Sequence, residues 1–189
     1  MTAFLLALIG AALVNNLLLL LPAGAAALRQ RPEQWVLLGP VGALLIALAT
    51  PLGWLLFHGV LVPLQLDALR LFIYLPLLAA VACLSVYLIN RIAAHLHSAS
   101  MSLPASSLIP SAGAALGSLL LAESQSFALN IAQGIGGGLG FWLALRVLAD
   151  LLERVDMPAV PRAFRGVPLL LISVGLAGMA LLGLQGLVR

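Results

Sequence analysis

The run Leu20-Leu21-Pro22-Ala23-Gly24-Ala25-Ala26-Ala27-Leu28 has a near copy at Leu108-Ile109-Pro110-Ser111-Ala112-Gly113-Ala114-Ala115-Leu116, and both lie inside strongly apolar sequence. The two prolines are 88 residues apart in a chain of 189, one in each half. Proline withholds a backbone donor and glycine tolerates dihedrals other residues avoid, so each copy predicts an interruption in an apolar helix. An interruption frees carbonyls and amides that lipid cannot satisfy, and such backbone has to face protein, water or a cofactor. Paired interruptions at corresponding positions mark membrane proteins built from internal repeats. Chance recurrence in so apolar a chain is the competing explanation for the copies taken alone.

Composition supplies the membrane. Hydrophobic residues make up 63% of the chain, charged residues 8%, and the mean hydropathy is +1.17, against roughly 25% charged residues in ordinary soluble domains. Spanning segments consume most of this length, which excludes a separate soluble domain. The net charge of +3 comes from nine arginines and no lysine against six acids; it reads as loop charge that orients the chain, not as a nucleic-acid surface. The N-terminus runs into apolar sequence without a basic leader region, as a first span does and a cleaved signal peptide does not. Cys83 is the single cysteine, so the chain alone builds neither an internal disulfide nor a multi-thiolate metal site; it is expected to be a small core residue.

With a span length of about 20 residues, six apolar segments emerge at roughly 3–22, 35–57, 69–89, 102–122, 127–150 and 167–187. The connections between them are 27–33, 58–67, 90–101, 123–126 and 153–166. The first, third and fifth carry Arg29, Arg31, Arg91, Arg154, Arg162 and Arg165, whereas the other side has Arg70 and the terminal Arg189. Because cytoplasmic loops retain positive charge, both termini are expected outside. An odd number of spans per half then sets the two copies in opposite orientations. The fold class expected is an all-α integral membrane protein, one domain over 1–189, with six transmembrane helices as an inverted 3+3 repeat (about 1–95 and 96–189) and broken helices 1 and 4. A re-entrant fourth segment is the alternative, since Pro104, Pro110, Gly113 and Gly117 all lie in it.

Polar groups at membrane depth need partners. Asn15 and Asn16 suit bonding across helices or capping of the opened backbone near Pro22. Arg146 and Asp150, spaced i, i+4, permit a local ion pair or snorkelling at the interface. The run Gly134-Ile135-Gly136-Gly137-Gly138-Leu139-Gly140 is embedded in a span with no strand before it, so close helix packing explains it better than a nucleotide loop. His95 and His97 without a third ligand, and Glu123 in a turn, read as loop residues.

At Ala12-Leu13-Val14-Asn15-Asn16 the chain resembles the first helix of the A subunit of the Rnf ion-translocating electron-transport complex, a family shared with the E subunit of sodium-pumping NADH:quinone reductase. Val62-Pro63-Leu64-Gln65-Leu66 with Leu69-Arg70, Leu108-Ile109, Leu116-Gly117, Gly134, Gly140-Phe141, Glu153-Arg154, Val160-Pro161, Phe164-Arg165-Gly166, Gly183 and Gly186-Leu187-Val188 follow in order. The resemblance covers nearly the whole chain and implies the bacterial inner membrane, with both termini periplasmic. It implies a homologous membrane partner like the Rnf E subunit and further subunits carrying flavins and iron–sulfur centres, with lipid around the assembly and no nucleic acid.

The chain also departs from the family. The resemblance implies one cysteine beside each broken helix, in a Gly-Leu-Cys-Pro run and a Thr-Asn-Cys run, jointly holding an intramembrane 2Fe–2S centre with the paired subunit. Here the runs read Gly24-Ala25-Ala26-Ala27 and Ser111-Ala112-Gly113, so Ala26 and Gly113 occupy the cysteine positions without a donor. No cofactor is expected on this chain alone; the family centre is absent or completed by partners, with electrons bypassing this subunit or rerouted. The function expected is a membrane subunit of an Rnf-type complex coupling electron transfer between ferredoxin and NAD to Na⁺ or H⁺ movement, in a cluster-less variant with no catalytic residues of its own. Asn15, Asn16, Pro22, Gly24, Pro110 and Gly113 are its structural and interface candidates. A stand-alone inverted-repeat transporter and a structural paralogue kept for assembly are the alternatives.

Overall fold

A computed structural model describes residues 2–14, 32–96, 109–122, 126–155, 160–161 and 164–183. Six helices run through them. Helix α1 (Thr2–Ile9) continues as a π-helical segment (Gly10–Val14). Helix α2 (Pro32–Leu56) is prolonged by a π segment (Phe57–Leu61) and a last turn (Val62–Leu64). Helix α3 (Arg70–Leu96) follows a 3₁₀ turn at Asp67–Leu69. Helices α4 (Ile109–Ala122), α5 (Phe127–Glu153) and α6 (Val167–Leu182) complete the order, and no strand occurs among the described residues.

Three stretches are long and apolar enough to cross a membrane: Leu38–Leu64, Arg70–Arg91 and Phe127–Glu153, of 27, 22 and 27 residues. At 1.5 Å per residue they reach about 33–40 Å, beyond the roughly 30 Å of hydrocarbon. Two shorter apolar helical stretches, Ser111–Leu121 and Leu171–Ala180, fall short of that length. The molecule is thus helical with several apolar helices, as a multi-pass membrane protein requires. Its outer faces agree: Phe72 on α3 is 74% exposed and Met179 on α6 is 63% exposed, surfaces that only lipid or a partner covers without penalty.

Helix α2 is the centre, packed on α5, α4 and α3. Its buried positions Leu38, Val41, Leu45, Ile46, Ala49 and Thr50 recur at helical spacing, and α3 answers with Tyr74, Leu78, Val81, Ala82 and Ser85. Pro40, Pro51 and Pro76 lie within helices that continue through them. Neighbouring helices tolerate such prolines inside a membrane because freed backbone groups find other partners.

The register between helices fixes their directions. Along α5, positions 134, 138 and 141 face positions 50, 43 and 42 of α2, so these helices are antiparallel. Positions 111, 118 and 119 of α4 meet 42, 50 and 53 of α2, so these two are parallel. Leu8 and Ala12 of α1 and its π segment meet Gly136 and Gly140, which sets α1 parallel to α5. Trp54 and Phe127, with ring centroids 5.1 Å apart, close one end of the α2–α5 pair.

Several boundaries differ from the hydropathy reading. The connection expected at 58–67 is helical to Leu64 and turns only at Gln65, whose φ of 54° is left-handed. There the Leu66 amide donates to the Leu61 carbonyl (3.0 Å) and the Gln65 amide to the Val62 carbonyl (3.2 Å), the paired bonds of a Schellman cap. Helix α3 continues past residue 89 to Leu96 and takes His95 out of the expected loop; Arg91 reaches back to the Tyr87 hydroxyl at 3.4 Å. Cys83, expected in the core, is exposed on α3, because the inward face of that helix runs through Val81, Ala82 and Ser85. Within the described part of the fourth segment, the helix passes Gly113 and Gly117 without a break; the expected interruption of helix 1 near Pro22 lies outside the described residues.

Candidate functional site at the junction of α1, α2, α4 and α5

The glycine run of α5 carries two interleaved sets of small residues. Gly134 and Gly138, four apart, face α2; Gly136 and Gly140, also four apart, face α1 and its π segment. A Cβ at Gly138 would overlap the Ala43 carbonyl oxygen, one at Gly136 the Leu8 carbonyl oxygen, and one at Gly140 the Ala12 carbonyl oxygen. Each contact is backbone against backbone, which only glycine allows, and each places a Cα–H against a carbonyl. The neighbouring Gly137 has Ile46 Cγ2 at an ordinary 3.5 Å from its Cβ position. Close packing, the role expected of the run, is what the structure shows, and α5 is clasped from two sides.

Phe141 follows directly. It is 1% exposed and among the largest fully buried side chains. Its ring lies against Gly42 of α2, where a Cβ would strike it, and Ser111 Cβ is 3.1 Å from the same point. Ser111 itself is fully buried. The start of α4 is therefore seated against Gly42 and Phe141, one residue along α5 from the Gly140–Ala12 contact. The segment that leads into Asn15 and the segment that carries Pro110, Ser111 and Gly113 converge on two successive residues of α5.

A second polar level lies farther along. Thr50 Oγ1 donates to the Ile46 carbonyl at 2.7 Å and stands 2.9 Å from Ser118 Oγ, which donates to the Ala115 carbonyl at 2.8 Å. Thr50 is fully buried and Ser118 is 1% exposed, so α2 and α4 are joined by hydroxyls in an apolar interior. Asn130 and Gln133 of α5 are buried as well.

Of the residues singled out by sequence, Pro110 lies in the first turn of α4 and Gly113 is half-buried on it. Asn15, Asn16, Pro22, Gly24 and Ala26 lie outside the described residues. Arg146 and Asp150 are exposed on α5. Sequence reasoning missed Phe141, Gly42, Thr50 and Ser118. Thr50 and Ser118 were visible as lone hydroxyls in apolar runs, and Thr50 precedes a proline; Phe141 entered only through the Gly140-Phe141 match to the family, and Gly42 gave no signal beyond composition. Among the described residues no group of three His, Cys, Asp or Glu side chains is placed to hold a metal ion.

Comparison with known proteins extends the resemblance to the whole chain. The family model described as "Rnf-Nqr subunit, membrane protein" matches residues 4–188. The A subunit of the ion-translocating oxidoreductase complex of Azoarcus sp. strain BH72 is 32% identical, covering 99% of this chain and 98% of the relative. The protein of the same name from Rhodobacter capsulatus is 32% identical, covering all of both chains, and that from Syntrophotalea carbinolica is 34% identical, covering 100% of this chain and 99% of the relative.

Proposed function

The chain belongs to the Rnf-Nqr family of membrane subunits, and we propose that it acts in an Rnf-type ion-translocating oxidoreductase complex as a membrane component contributing no ligand to an iron–sulfur centre. Membership is carried by the end-to-end match to the A subunits of such complexes. In Rnf-type assemblies electron transfer between ferredoxin and NAD drives movement of Na⁺ or H⁺, and this chain supplies membrane core to that coupling.

Its donor set does not fit a cluster. Gly113 has no side chain, Ala26 has only a methyl group, and iron–sulfur clusters require thiolates or, rarely, imidazoles. Cys83 points away from the α2–α3 interior on an exposed face. A cluster in the assembly therefore takes its ligands from other chains, and no electron-transfer step is assigned to residues here.

The positional role falls to the α5 junction. The opposed directions of α2 and α5, with α4 parallel to α2 and α1 parallel to α5, support six alternating crossings in an inverted 3+3 arrangement, and the arginines of the first, third and fifth connections support both termini outside the cytoplasmic membrane. The two halves meet where Ala12 contacts Gly140 and Ser111 packs near Phe141 and Gly42. Relative rocking of the halves about this junction is the motion by which the protein would open to either side in turn. Its partners are a homologous membrane subunit on the exposed apolar faces and the flavin- and iron-bearing subunits of the complex.

Affinity purification of the full chain from its own membranes tests this. The expected result is recovery of a homologous membrane subunit with flavin- and iron-bearing polypeptides in fixed proportion. Recovery of this chain alone, as a monomer or homo-oligomer that moves a solute in liposomes, would establish a stand-alone transporter instead.

A further inference from the structure

We propose that Arg91 and Tyr87, at the cytoplasmic end of α3, form a headgroup site for an anionic phospholipid, with the exposed face of the same helix beneath them as the seat of its acyl chains. Depth is the first ground. The apolar stretch of α3 is bounded by two arginines, Arg70 and Arg91, and is 22 residues long; at 1.5 Å per residue that is about 33 Å, close to the roughly 30 Å of hydrocarbon. Arg91 therefore stands at headgroup level, at the start of a connection that lies on the cytoplasmic side in the reading above. Tyr87, one turn back, is 58% exposed, at the depth where a phenol ring has its body in the apolar layer and its hydroxyl in the polar one.

The two polar ends converge. Arg91 Nη1 donates to the Tyr87 hydroxyl oxygen at 3.4 Å, and among the described residues neither side chain has a second polar partner. A guanidinium has five N–H donors and no acceptor, and a phenol that accepts one bond keeps its own proton to give. The pair thus offers donors of two kinds around one fixed positive charge, and a phosphodiester supplies the oxygens they need, two of which match the guanidinium fork. No carboxylate competes along the chain, for Asp67 and Glu123 have no acid between them. The other arginines on this side are placed differently: Arg146 has Asp150 four residues on, Arg154 follows Glu153, and Arg165 gives its Nε–H to the Val160 carbonyl at 2.8 Å. Beneath the pair, Leu84, Ala80, Pro76 and Phe72 continue the exposed face of α3 at spacings of three and four, an apolar track leading from the headgroup toward the membrane centre.

The test is native mass spectrometry of the purified full-length chain after equilibration in detergent with equal amounts of phosphatidylglycerol and phosphatidylcholine. The first lipid retained is expected to be phosphatidylglycerol with a preference of roughly fivefold, the size of one arginine's attraction to an anionic surface. Arg91→Gln, which removes the charge, is expected to abolish most of that preference, and Tyr87→Phe, which keeps the ring and removes the hydroxyl, to reduce it; Arg154→Gln is expected to leave it unchanged. All three residues are exposed, so the helix packing survives each change. Equal retention of the two lipids by the unaltered chain overturns the proposal, as does a preference that survives both Arg91→Gln and Tyr87→Phe. Excess inorganic phosphate separates a lipid headgroup from a free anion: the preference should persist in its presence, and its loss would assign the donors to free phosphate and overturn the lipid site. Because this readout needs no electron transfer or partner protein, it separates failure of the lipid site from failure of the complex assignment.

Discussion

Replacing Gly136 or Gly140 with alanine is expected to destabilise the protein by about 3 kcal/mol each, toward the upper end of ordinary overpacking penalties. The reason is the identity of the obstacle. A Cβ at either position meets a carbonyl oxygen of the first helix, that of Leu8 or of Ala12, and a backbone cannot swing aside as a side chain can. The helices must separate along their shared contact, and α1 with its π segment is displaced from α5. Gly137→Ala should be neutral or stabilising by up to about 1 kcal/mol, because a helix interior favours alanine over glycine and the nearest foreign atom, Ile46 Cγ2, stands at an ordinary 3.5 Å. Thermal unfolding in detergent reads the difference: about 6–12 °C lost for Gly136→Ala or Gly140→Ala, and little for Gly137→Ala. Equal midpoints for all three would refute the backbone contacts.

Phe141→Ala is the second large effect, about 3–5 kcal/mol for deleting a fully buried aromatic ring. Its consequence is directional as well as energetic. The ring packs on Gly42 beside Ser111 at the start of α4, so its loss should loosen the seat of Ser111. A maleimide reports this in the Cys83→Ser background with Ser111→Cys: the thiol should resist labelling when Phe141 is present and react when Phe141 is alanine. Equal labelling in both would show that Phe141 does not seat α4.

Much of this architecture was legible in the sequence. Hydropathy located the apolar helices because lipid demands long uncharged runs, and the glycine run announced close packing because glycines at spacing of two and four leave no other use for their helix. What hydropathy cannot see is a helix end. Residues 57–64 remained helical through a π segment, anchored by Leu61 as the one buried side chain among them, and the chain turned at Gln65, a residue without the usual glycine signal. Cys83 was misplaced because in an apolar span the sequence does not say which face meets protein. The Thr50–Ser118 pair was hidden for another reason: its partners are 68 residues apart, and only the parallel register of α2 and α4 brings them together. The missing ligands at Ala26 and Gly113 were readable only by resemblance to the family.

The most direct test of the cluster-less assignment is iron and acid-labile sulfide content, with EPR after dithionite reduction, on this chain purified with its membrane partners and without the peripheral iron–sulfur subunits. The account predicts no cluster signal traceable to this chain, and no change in any signal from its partners when Gly113 is replaced by alanine. A stoichiometric cluster that is lost or shifted on Gly113→Ala would contradict it and show that the start of α4 holds the centre after all.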